Sequence, residues 1–162
     1  MAVLDIVKVG HPILKQTAEE VPFVSKKIRR LLDDMAETMY KADGVGLAAP
    51  QVNESKRLVV IDIGQGLIEL VNPVIVSGEG EQVGPEGCLS IPDVFGDVKR
   101  FNKVEVQALN RNNKKIKIVG EGLLARALQH EIDHLNGILF IEKIEDTAEA
   151  TVKESIVTDK AE

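Results

Sequence analysis

The feature that most constrains this chain is a pair of histidines one helical turn apart. His130 and His134 bracket Glu131, Ile132 and Asp133 within residues 123–136, a strongly helical stretch that Gly137 is placed to stop. A spacing of four puts both imidazoles on one helix face, where they can grip one metal ion. Glu131, beside the first donor, can reach a metal-bound water without ligating. The competing reading is a solvated helix face that carries two histidines and nothing else.

Two histidines do not make a catalytic site; a third donor is needed, with one position left open. Three sources are weighed. A third histidine in the pattern HExxHxxGxxH fails, because Gly137 fits but Phe140 stands where that histidine belongs. Glu154, twenty residues past His134, has the spacing of thermolysin-like peptidases but lies in a charged tail. Cys88, the only cysteine, sits among Gly84, Pro85, Gly87 and Pro92, which favour an extended, sharply placed loop. A four-ligand structural metal would also have to recruit His11.

Composition narrows the classes further. The 162 residues suit one domain, and 44% hydrophobic content supplies a core. A net charge of −6 argues against a protein held to nucleic acid by phosphate contacts, and five scattered aromatics make no base-stacking platform. One cysteine excludes an internal disulfide and fits a reducing compartment. No apolar run approaches a membrane span, and the first residues lack a signal-peptide pattern. The expectation is a cytoplasmic, single-domain protein without membrane or direct nucleic-acid contacts.

The period of the hydrophobic pattern changes along the chain. Residues 26–42 read as a helix with Ile28, Leu31, Leu32, Met35 and Met39 on one face, Ser25 as N-cap and Gly44 as stop. A short helix is expected over 12–17. Residues 57–62 and 68–76 are β-branched runs, the second broken by Asn72 and Pro73. Val104, Val106 and Ala108, then Ile116 and Ile118, alternate with polar residues around a turn at 110–113. Strands in the middle and helices towards the ends predict an α+β fold with mostly antiparallel sheets around the central HExxH helix. Residues 1–146 are read as the catalytic domain and 147–162 as a polar tail, helical over part of 147–156.

With these residues in view, the sequence resembles the peptide deformylase family. GVGLAAPQ at 44–51, EGCLS at 86–90 and HEIDH at 130–134 match its three motifs in order, and GHPIL at 10–14 is similar to its opening. The resemblance spans about residues 5–145. It implies a metal-dependent hydrolase that removes the formyl group from the N-terminal formyl-methionine of new proteins. It further implies Cys88, His130 and His134 as metal ligands, Glu131 as general acid/base, and Gln51 with the Leu89 backbone N–H as oxyanion donors. Gly46 would hold the substrate backbone, and Val45, Leu123 and Ala127 would line the methionine pocket, with Arg126 at a position where some relatives carry an aliphatic residue. The family works with iron(II), while zinc or nickel can take the same ligands. Ser90, Asp133 and Glu86 stand beside these positions with no role legible from sequence. Some relatives dock on the ribosome through a basic C-terminal helix. Here residues 142–162 carry seven acids against three lysines, so proximity to the ribosome is expected but that docking helix is not evident.

Overall fold

The computed structural model describes residues 2–144. Of the expected tail, residues 147–162 with Glu154 lie outside the described residues. Helix α1 spans Lys26–Lys41, with the Ser25 side chain accepting from the Ile28 N–H as expected. Its end departs from expectation in one detail. The left-handed residue is Asp43 (φ 57°), and Gly44 follows, donating its N–H to the Met39 carbonyl at 3.0 Å. The expected helix over 12–17 is a single 3₁₀ turn, Pro12–Lys15.

Strands β1 (Gly46–Ala48), β2 (Leu58–Ile61), β3 (Ile68–Glu79), β6 (Lys103–Leu109) and β7 (Lys115–Glu121) form one antiparallel sheet in the order β1-β2-β3-β6-β7. β3 runs through the Asn72–Pro73 break by shifting register there. Asn72 takes positive φ, and its side chain closes two hydrogen bonds with the Val21 backbone. Strands β4 (Gln82–Cys88) and β5 (Ile91–Arg100) form a separate antiparallel hairpin. The Cys88 segment is therefore strand, not the expected loop. A two-stranded ribbon has open edges, so Pro85 and Pro92 cost it few ladder bonds.

Helix α2 (Leu123–Leu135) starts after Gly122 and ends as expected at Gly137 (φ 73°). Gly137 is packed so closely that a Cβ there would lie 2.5 Å from the Lys15 carbonyl oxygen. β2 is buried throughout because the helices cover the sheet from both sides. Leu58 and Val60 pack with Leu32, Met35 and Met39 of α1. Val59 and Ile61 pack with Ala125, Leu128, Ile132 and Leu135 of α2. A third cluster joins Ile91 and Val98 of the hairpin to Ile13, Leu14, Leu139 and Phe140. The fold is α+β, and α2 lies between the sheet and the hairpin.

Candidate active site

Three elements meet at the site: the end of β4, the middle of α2, and the segment from β1 into the 3₁₀ turn Ala49–Val52. Ligand atoms of Cys88, His130 and His134 all lie within 4.8 Å of one another. Cys88 Sγ is 3.3 Å from His134 Nε2. Among the described residues no other group of three or more such donors forms. His11 stands apart, its Nδ1 accepting the Ile13 N–H at the cap of the 3₁₀ turn. Phe140, at the position that excluded a third histidine, stacks on the His130 ring with centroids 6.0 Å apart.

The residues around the donors fix their orientation. Glu86 receives His130 Nδ1 at 2.8 Å, which turns Nε2 towards the other donors. Arg100 grips both oxygens of Glu86, at 2.8 and 2.9 Å, and reaches Asp133 at 2.6 Å. Burial works to raise Glu86, but Arg100 and His130 outweigh it and hold the carboxyl at about 2. Burial, aided by the neighbouring His130 charge, pushes His134 down, so its imidazole is neutral and free to ligate. His134 Nδ1 has no hydrogen-bond partner among the described residues. One thiol and two imidazoles, mutually within reach and beside a cavity, fit a divalent ion with an open position.

Glu131 lines the same cavity as Cys88 and His130. Burial pushes its carboxyl up to about 7, with the His130 charge pulling back only in part. Its Oε1 is buried without a hydrogen-bond partner among the described residues. Its Oε2 packs on Gly46, where a Cβ would come within 2.6 Å. A carboxyl poised near neutrality can both accept and return a proton.

Gln51 is oriented by its neighbours. Oε1 accepts the Ala48 N–H at 3.0 Å, so Nε2 faces Ser90 Oγ at 3.2 Å and Cys88 Sγ at 3.5 Å. Leu89 forms the turn between β4 and β5. Val45, Gly46, Gln51, Cys88, Leu89, Leu123, Ala127, His130 and Glu131 all line one cavity of about 490 Å³. His134 lies behind it, fully buried. Leu123 and Ala127 do face the cavity together. Arg126, where some relatives carry an aliphatic residue, is buried beside them, and its Nη1 donates to Glu86 Oε2 at 2.6 Å. Sequence reasoning missed Arg100 and Gln82, singled out Arg126 only as a departure beside the pocket, and left Glu86 undecided. Their contacts span 14 to 44 residues, and no local pattern signals them.

Comparison with known proteins agrees with this geometry. The family model described as polypeptide deformylase matches residues 3–150. The chain belongs to that family. It is 55% identical over 154 residues to a peptide deformylase of Pelotomaculum thermopropionicum, covering 95% of this chain and 99% of that protein. It is 60% identical over 144 residues to one from Caldanaerobacter subterraneus, covering 89% and 91%. Among solved structures, the Thermotoga maritima peptide deformylase superposes with a TM-score of 0.88 at 38% identity, covering 90% of this chain and all of that one. A peptide deformylase from Synechococcus elongatus, solved in complex with actinonin, gives 0.90 at 42% identity, covering 94% and 84%. This chain is accordingly an enzyme, a hydrolase of the deformylase family. Among its described residues no helix is long and apolar enough to cross a membrane.

Proposed function

We propose that this enzyme hydrolyses the formyl amide of N-terminal formyl-methionine on newly made polypeptides, adding water and releasing formate. The observation that carries the reading is one cavity lined by Cys88 and His130, with His134 within reach behind them, together with Glu131, held near 7, and an apolar wall. Cys88, His130 and His134 would hold one divalent ion, iron(II) by resemblance to the family, with zinc or nickel able to take the same donors. Such an ion acidifies bound water and polarises a carbonyl oxygen.

The chain's own groups do the rest. Glu131 takes a proton from the attacking water and delivers it to the methionine nitrogen as the formyl carbon–nitrogen bond breaks. Gln51 Nε2 and the Leu89 backbone N–H donate to the formyl oxygen as charge collects there, each worth ~10²–10³ in rate. Gly46, whose missing Cβ leaves room for the Glu131 carboxylate, presents its backbone to an extended substrate chain. Val45, Leu123 and Ala127 flank the methionine side chain. The enzyme meets nascent chains in the cytoplasm without a basic docking helix, since an acidic C-terminal segment is repelled by RNA.

The test is formate release from a formyl-methionyl tripeptide, by protein loaded with iron(II) away from oxygen, beside an acetyl-methionyl control. Release from the formyl peptide alone is expected. Cys88→Ala should lose metal and turnover while Glu154→Ala keeps both. The reverse pair of outcomes would make the chain a small zinc peptidase with Glu154 as third ligand.

A further inference from the structure

The metal donors sit on two elements that are distant in sequence, and something must hold one against the other. Cys88 ends β4, whereas His130 and His134 belong to α2. Arg126 lies one helical turn before His130, on the same face of α2. From there it reaches three points on the hairpin. Nη1 donates to Glu86 Oε2 at 2.6 Å and to the Val98 carbonyl at 3.0 Å, and Nε donates to Gln82 Oε1 at 3.2 Å. It therefore contacts both strands of the ribbon that carries the thiol.

Glu86 shows why that grip matters. Its Oε1 takes His130 Nδ1 and Arg100 Nη2; its Oε2 takes Arg100 Nε and Arg126 Nη1. Four donors fill the carboxylate's four lone-pair sites, so the side chain has one orientation. Arg100 fills one site on each oxygen through Nε and Nη2 while its Nη1 serves Asp133, so the second site on Oε2 is left to Arg126. The Arg126 side chain is 9% exposed, and Gly84 leaves room for its Nη2, with a hypothetical Cβ 3.4 Å away. Arg126 also lines the cavity, as do Leu123, Ala127 and Glu86.

We infer that Arg126 is a positioning residue: it clamps the Cys88 hairpin to the histidine helix and, through Glu86, fixes the His130 ring for metal ligation. The inference rests on the ligand set proposed above. Groups that orient metal ligands are worth about 10- to 100-fold in affinity or activity. Cobalt(II) is the probe, because its absorption reports thiolate ligation directly. Arg126→Met should bind cobalt(II) about 10- to 100-fold more weakly than the unaltered protein, with a changed thiolate band. At saturating metal its kcat should fall while KM for the formyl peptide moves less than about 3-fold. Arg126→Lys restores the charge but not the fork, so it should recover binding only in part. Wild-type affinity and spectrum in Arg126→Met would overturn the inference, as would a raised KM with unchanged cobalt binding. If Arg126→Met fails to fold, Arg126→Lys decides, and unaltered cobalt binding there overturns it. A wild-type protein without a thiolate–cobalt band would instead refute the ligand set itself.

Discussion

Helices α1 and α2 press on opposite faces of the same sheet, yet they bury opposite kinds of residue. α1 buries Ile28, Leu32, Met35, Ala36 and Met39; its one fully buried polar residue, Thr38, bonds back to the Asp34 carbonyl, and only Oε2 of half-buried Glu37 is left without a partner among the described residues. α2 buries Arg126, Gln129, His130, Glu131 and His134 among its apolar residues. Burying a polar group costs free energy unless it is paired, so α2 depends on Glu86, Val98, Phe101 and Gln82 for partners. Glu131 Oε1, His134 Nδ1 and Arg126 Nη2 remain unpaired among the described residues. One helix is built for stability; the other spends stability on chemistry.

The sharpest way to break this contrast is Glu131→Gln. Losing the proton carrier should cut formate release by about 10²–10⁴-fold, with the metal retained and thermal stability equal or higher. A parallel collapse of folding would place Glu131 in the core with the α1 residues. Leu32→Ala tests the other helix. Removing a fully buried leucine should cost about 2–5 kcal/mol in urea unfolding, while kcat per folded molecule stays unchanged. A large loss of kcat in folded protein would erase the distinction.

Smaller effects sharpen it. Gly137→Ala places a side chain at φ 73° and a Cβ against the Lys15 carbonyl, which should cost about 1–3 kcal/mol by thermal denaturation. Ser25→Ala removes the cap of α1 and should cost about 1 kcal/mol, with formate release untouched.

The contrast also explains what could be read in the chain. α1 was legible because its apolar stripe and its cap are local, and only its stop was misplaced by one residue, from Asp43 to Gly44. The histidine pair was legible because its spacing is that of a helical turn. The hairpin was not, since Gly84, Pro85 and Pro92 look like loop punctuation, and only pairing with β5 makes them strand. β1 is three residues long, too short to show a period. The grip on Glu86 was invisible because Arg100 and Arg126 reach it across the fold, and in sequence they are charges like those of any solvated surface.

β2 has a consequence for motion. The backbone amides of Leu58–Ile61 have a strand on either side and a helix over each face, so solvent reaches them only when the sheet comes apart. In heavy water they should hold their protons longest and report global unfolding. The Gln82–Cys88 ribbon has one strand partner and an outer edge, so lesser openings expose it. Cys88 thus sits on the faster clock of the molecule, and the amides of that ribbon should exchange ahead of those of β2.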